Sequence, residues 1–62
     1  MDYEIQLEVD YIIEQVANFQ FSRESGANKV RQAIKSIGRG SDRKALMEAL
    51  DYYENQCDRK GL

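Results

Sequence analysis

Residues 3–21, YEIQLEVDYIIEQVANFQF, form the stretch that decides how the rest of the chain folds. Its large apolar side chains recur at intervals of four, three, four and three residues, at Ile5, Val9, Ile12, Val16 and Phe19. This spacing places them on one face of an α-helix. The stretch therefore predicts a helix over residues 3–21 that packs an apolar seam, widened by Ile13 and Ala17, against other helices.

The first nine residues of this stretch also fit a β-strand. Tyr3, Ile5, Leu7, Val9 and Tyr11 alternate strictly with polar residues, which is the period of two that strands show. A helix is favoured because the helical pattern extends further and no later segment alternates in a way that could pair with a strand. The strand alternative stays open only within a homodimer, where a second copy would supply the partner strand.

Two further amphipathic segments predict two more helices, over residues 27–37 and 42–59. The apolar positions of the first are Ala27, Val30, Ile34 and Ile37. Those of the second are Leu46, Leu50, Tyr53 and Cys57, with Ala49 beside them. Glycine- and serine-containing breaks at residues 22–26 and 38–41 separate the three segments, and we expect Gly26 or Ser25 to cap a helix at the first break and Ser41 to cap the third helix. The predicted fold is an all-α three-helix bundle that occupies residues 1–62 as one domain.

The size of the chain suggests that the bundle is completed by homodimerisation. A chain of 62 residues buries only about 60% of the surface that its unfolded form exposes. Domains this small usually gain stability from disulfides, a metal ion or self-association. With a single cysteine, Cys57, and no histidine, an intrachain disulfide and the usual zinc sites are excluded.

Composition also narrows the class of protein. One thiol without a disulfide framework fits a reducing compartment, no basic segment resembling a secretory signal begins the chain, and no apolar run exceeds three residues. We therefore expect a cytoplasmic protein that does not span a membrane. Cys57 has no histidine to act as its base, and no catalytic or cofactor-binding constellation is visible. We expect neither an enzyme nor a bound cofactor.

Charge is distributed unevenly along the chain. Residues 1–21 carry five acids and no base, residues 22–44 carry seven bases and two acids, and residues 45–62 carry four acids and two bases. These segments have charges of −5, +5 and −2, which reproduce the net charge of −2. Either the acidic and basic rims of neighbouring helices attract each other, or one of them is a docking surface for another molecule.

The first helix carries a second apolar side. Leu7 and Tyr11 point away from the seam, and exposed acids accompany them. We predict that this side contacts a partner protein, and that the contact residues are Glu4, Leu7, Glu8, Tyr11 and Glu14 on the first helix with Tyr52 on the third. The function expected from these features is that of a protein-binding regulator or inhibitor, of a kind that phages and mobile elements encode.

The alternative function is nucleic-acid binding. The second helix, the glycine-containing turn and the third helix have the order of a helix-turn-helix. Arg43 and Lys44 would begin the helix that enters the groove, while Arg31, Lys35 and Arg39 would contact phosphates. The acids Asp42, Glu48 and Asp51 on the same helix, and the negative net charge, oppose this alternative.

Overall fold

The computed structural model describes residues 1–62 as three α-helices without a strand. Helix α1 spans Tyr3–Ala17, α2 spans Arg23–Ser36 and α3 spans Arg43–Lys60, and each helix packs against the other two. The prediction of an all-α three-helix bundle is confirmed, and the strand alternative for residues 3–11 is wrong. None of the three helices combines the length and the apolar composition that crossing a membrane requires.

The core consists of eleven buried side chains, and α1 contributes the largest share because its seam faces both neighbours. Five come from α1, two from α2 and four from α3: Ile5, Val9, Ile12, Ile13 and Val16; Val30 and Ile34; Ala45, Ala49, Tyr53 and Cys57. On α3, Ala49, Tyr53 and Cys57 are buried as predicted, but the first half of the seam is shifted by one residue toward the N-terminus. Leu46 and Leu50 are only half-buried at the margin, while Ala45 and Ala49 face the core.

The first break in the chain lies earlier than its glycine and serine content predicts. Helix α1 ends at Ala17, not at Phe21, so Phe19 falls outside the helix and is not part of the seam. Helix α2 begins at Arg23, four residues before the predicted start. The reason is Ser22, whose side-chain oxygen accepts a hydrogen bond from the Ser25 backbone N–H at 3.0 Å and so caps the helix.

Two other predicted caps are also corrected. Gly26 and Ser25 do not cap a helix, because both lie within the first turns of α2. The cap of α3 is Asp42 and not Ser41, since the Asp42 carboxylate accepts the Ala45 N–H at 3.0 Å. Asp42 is the better cap electrostatically, because its negative charge also lies at the positive end of the helix dipole.

Gly26 lies where all three helices meet. A Cβ atom at this position would lie 2.7 Å from Val16 Cγ2 and would overlap the hydroxyl of Tyr53. Tyr53 is fully buried, and its hydroxyl donates a hydrogen bond of 2.6 Å to the backbone oxygen of Arg23. Burial, together with the neighbouring Cys57, raises the pKa of Tyr53. The first turn of α2 therefore rests directly on α1 and α3, and only glycine leaves room for this contact.

We predict that Gly26→Ala lowers the free energy of unfolding by about 2 kcal/mol. Overpacking of a tight core costs up to about 3 kcal/mol, and the better helix propensity of alanine returns only about 1 kcal/mol. Urea denaturation measures the change. The matched control is Gln32→Ala on the exposed side of α2, which should change stability by less than about 0.5 kcal/mol. A Gly26→Ala protein as stable as the wild type would contradict the close contact with Tyr53.

All three helices end in the same hydrogen-bonded motif. After α1, the Phe19 N–H bonds to the Val16 oxygen at 3.1 Å and the Gln20 N–H bonds to the Gln15 oxygen at 2.9 Å, and the equivalent pairs of bonds follow α2 and α3. The motif requires one residue in the left-handed conformation. That residue is glycine after α2 and after α3, with φ of 81° and 71°, but it is Phe19 after α1, with φ of 63°.

Candidate protein interface

The side of α1 that faces away from the core carries a ridge of large apolar side chains. Tyr3, Leu7 and Tyr11 are 71%, 51% and 60% exposed and follow one another at intervals of four residues. Side chains four apart on a helix are neighbours, so the three form a row about 12 Å long. The structure thus brings the predicted contact residues Leu7 and Tyr11 together. Tyr3 belongs with them by the same spacing, although it is not among the predicted contact residues.

Acidic side chains border this ridge on both sides. Glu4 and Glu8 lie toward α2, where they line a shallow depression with Ala33, Ser36 and Ile37. Asp10 and Glu14 lie toward α3, where they line a second depression with Ile13, Ala17, Gln56 and Lys60. We call the ridge and these acids the α1 outer surface: Tyr3, Leu7 and Tyr11 with Glu4, Glu8, Asp10 and Glu14.

None of the four acids of the α1 outer surface forms a salt bridge with a base of the chain. The ion pairs lie elsewhere. Arg23 pairs with Glu54 and Asp58 at 2.6 and 2.8 Å, and Arg39 pairs with Asp2 and Asp42 at 3.0 and 2.9 Å. The Arg39–Asp2 pair joins the acidic N-terminal segment to the basic middle segment, but it does not involve the acids of the α1 outer surface. The negative charge of the α1 outer surface stays uncompensated by contact.

Tyr52, the remaining predicted contact residue, is engaged inside the protein. It is half-buried, and its hydroxyl donates a hydrogen bond to Asp10 Oδ1. This hydrogen bond, assisted by burial, raises the pKa of Tyr52. Tyr52 therefore joins α3 to the edge of the α1 outer surface and holds Asp10 in place. Direct contact of Tyr52 with a partner protein stays a prediction.

We predict that Tyr52→Phe lowers the free energy of unfolding by about 1 kcal/mol at pH 7, because one hydrogen bond is lost. The pKa of Tyr52 is raised in the folded protein. The contribution of its hydrogen bond to stability is therefore complete below the ordinary tyrosine pKa of about 10, and it is lost as pH rises through the pKa of Tyr52 in the folded protein. The wild type should thus lose more stability than Tyr52→Phe between pH 9 and pH 12. Denaturation at several pH values tests this, and an identical pH dependence of both proteins would contradict it.

The residues predicted to contact nucleic acid fall into two groups in the structure. Arg31, Lys35, Arg43 and Lys44 are exposed and pair with no carboxylate, whereas Arg39 is held by Asp2 and Asp42. Hydrogen bonds to Asp42, first from the Ala45 backbone N–H and then from Arg39, lower the pKa of the Asp42 carboxyl. A negative charge therefore already occupies the start of α3, the position that a phosphate would take.

The remaining chemistry of the chain is sparse. Cys57 is a free thiol and is completely buried in the core, and no group of three or more cysteine, aspartate or glutamate side chains is arranged to hold a metal ion. Comparison of the chain with protein-family models, with curated proteins and with solved structures gives no match. The surface itself is therefore the basis for a functional proposal.

Proposed function

We propose that the protein is a non-enzymatic regulator or inhibitor that binds another protein through the α1 outer surface. One observation carries this proposal. Three large apolar side chains form an exposed ridge, and the acids beside the ridge have no cationic partner within the chain. Binding to a surface with both properties is favourable in free energy for a molecule that is apolar at its centre and cationic at its edge.

The ridge has the composition of an interface core. Aromatic side chains are enriched at protein interfaces, and each square ångström of apolar surface removed from water contributes about 25 cal/mol. Tyr3 and Tyr11 provide large rings with few rotatable bonds, and Leu7 fills the space between them along the ridge. Because the three positions follow a helical row, they present a ridge of the kind that fits the groove of another helix.

The acids define the chemistry of the partner. Glu4 and Glu8 lie one turn apart, as do Asp10 and Glu14, and each like-charged pair destabilises a helix by a few tenths of a kcal/mol. Lysine or arginine side chains of a partner would relieve this repulsion and would accelerate association. We therefore propose a partner protein that carries an apolar groove or helix face bordered by basic residues.

The predicted homodimer is the second candidate for what covers the ridge. A two-fold contact through the α1 outer surface would bury Tyr3, Leu7 and Tyr11 of both copies. The same contact would also bring the acidic rim of one copy against that of the other, and like charges across an interface are unfavourable. Charge therefore favours a different, basic protein over a second copy.

Nucleic-acid binding is supported by a separate observation: four of the five predicted contact residues, Arg31, Lys35, Arg43 and Lys44, are exposed and have no carboxylate partner. Binding of this kind would be strongly salt-dependent and would be abolished by Arg43→Ala combined with Lys44→Ala. The negative net charge and the anionic start of α3 oppose it. Absence of binding to DNA and RNA at low salt would remove this alternative.

We predict that Leu7→Asp and Tyr11→Asp abolish capture of the partner while the protein stays folded, because both side chains are exposed and lie outside the core. The immobilised wild type and variants are incubated with extract of the native host, and retained proteins are identified by mass spectrometry. Affinity for the purified partner should fall at least tenfold, which corresponds to about 1.4 kcal/mol. Circular dichroism verifies the helical fold of each variant.

The matched control is Met47→Asp, since Met47 is a 70% exposed apolar residue on α3. This variant should bind like the wild type. Equal retention of the same proteins by wild type and Leu7→Asp would contradict the proposal. Light scattering distinguishes the homodimer, because a doubled mass that Leu7→Asp abolishes would show that a second copy covers the ridge.

A further inference from the structure

Phe19 is the most exposed large apolar side chain of the protein, at 92%. It lies in the turn after α1, two residues from Phe21, and the two rings differ in what they contact. Phe21 packs against the core, and the Lys29 amino nitrogen lies 5.3 Å from the centroid of its ring. The fold therefore uses the ring of Phe21 and leaves the ring of Phe19 in water.

The backbone at Phe19 is also unfavourable for a residue with a side chain. Phe19 has a φ of 63°, in the left-handed region, whereas the equivalent positions after α2 and α3 are Gly38 and Gly61. A Cβ atom in this conformation approaches the following carbonyl oxygen, which is why glycine is usual here. Phenylalanine thus strains the turn without contributing contacts to the core. Strained residues of this kind concentrate at functional positions.

We infer that Phe19 extends the α1 outer surface and that its ring enters an apolar pocket of the partner protein. This partner is the same protein, with basic residues at the edge of its binding site, that covers Tyr3, Leu7 and Tyr11. This inference rests on the proposed function. Helix rise places the end of α1, at Ala17, about 9 Å beyond Tyr11, and Phe19 lies in the turn that follows. An interface of standard size, about 800 Å² on each partner, is roughly 30 Å across, so it can extend from Tyr11 past the end of α1 to the turn.

The turn presents the ring from a fixed position. Its two backbone hydrogen bonds hold Phe19 after the last turn of α1, so little backbone freedom remains to be lost on binding. Two exposed acids without an ion-pair partner, Glu14 and Glu24, precede and follow the turn, while the amino group of Lys29 lies over the ring of Phe21. These acids favour a cationic protein surface and disfavour an anionic lipid surface.

The first experiment tests whether the position is strained. Phe19→Gly removes the ring and the strain, whereas Phe19→Ala removes the ring alone. The glycine variant should melt at a higher temperature than the alanine variant, by roughly 4–8 °C. The control is the same pair of substitutions at Gln32, within α2, where alanine should be the more stable residue. A higher melting temperature for alanine at both positions would overturn the inference.

The second experiment tests this contact in the native host. The photo-crosslinking residue p-benzoylphenylalanine replaces Phe19, Tyr11 or, as control, Met47 in the full chain, and adducts formed on irradiation are identified by mass spectrometry. The Phe19 and Tyr11 positions should yield the same adduct protein and Met47 none. Binding of that purified protein should weaken at least tenfold in Phe19→Gly, although this variant should melt at a higher temperature than Phe19→Ala. Binding should be retained within about threefold in Phe19→Tyr.

The outcomes separate the two proposals. Crosslinking from Tyr11 alone, or unchanged affinity of Phe19→Gly, would overturn the role of Phe19 and leave the proposed docking surface standing. Absence of adducts at both positions would overturn both proposals, and so would adducts at Phe19 without any at Tyr11. An adduct of Phe19 with a second copy of the chain or with a lipid would overturn the inferred partner.

Discussion

The contact of Gly26 with Tyr53 and Val16 is the constraint on which the rest of the structure depends. It brings the first turn of α2 against both other helices, and the Tyr53 hydroxyl fixes the distance by its bond to the Arg23 oxygen. From this position the Arg23 side chain reaches the last turns of α3, where it donates hydrogen bonds to Glu54, Asp58 and the Leu62 oxygen. One turn of one helix thereby ties the end of α1 to the end of α3.

This junction also explains why Phe19 lies outside the core and why the acids of α1 have no ion-pair partners within the chain. Because α2 starts at Arg23, the connection from α1 comprises only residues 18–22. It begins with the hydrogen-bonded motif that ends α1, and the ring of Phe19 is left outside the fold. The opposite end of the bundle is closed by Arg39, which pairs with the helix caps Asp2 and Asp42. The two arginines that form ion pairs, Arg23 and Arg39, lie at opposite ends of the bundle. The acids along the middle of α1 therefore form no ion pair with a base of the chain. Internal electrostatics and packing together leave one side of α1 both apolar and negative.

Much of the fold could be predicted from the sequence, because three apolar stripes with helical spacing specify three helices. The buried positions Ile5, Val9, Ile12 and Val16 follow directly from that spacing. The end of α1 could not be found in this way, since the apolar pattern continues through Phe19 beyond the last helical residue. The position of Gly26 inside α2 could not be predicted for a different reason. Glycine is unfavourable inside a helix by about 1 kcal/mol, and here a contact with residues distant in sequence overrides that preference.

The candidate interface was only partly predictable. Leu7 and Tyr11 are recognisable because they lie opposite the seam, and the same four-residue spacing places Tyr3 beside them. That Tyr52 bonds to Asp10, and that the acids of α1 find no bases on α2, depends on how the helices are rotated against one another, which composition does not specify. The role that we infer for Phe19 could not be predicted, because the inference depends on a backbone angle.

Chemical-shift mapping of the ¹⁵N-labelled protein with its purified partner tests the central claim most directly. If the α1 outer surface is the docking surface, backbone amide signals should change along the outward side of α1, at residues 3, 7, 11 and 14, and in the turn at residue 19. The amides of Arg31, Lys35 and Arg43 should stay unchanged. Changes confined to those basic residues, with the signals of α1 unaffected, would contradict the account.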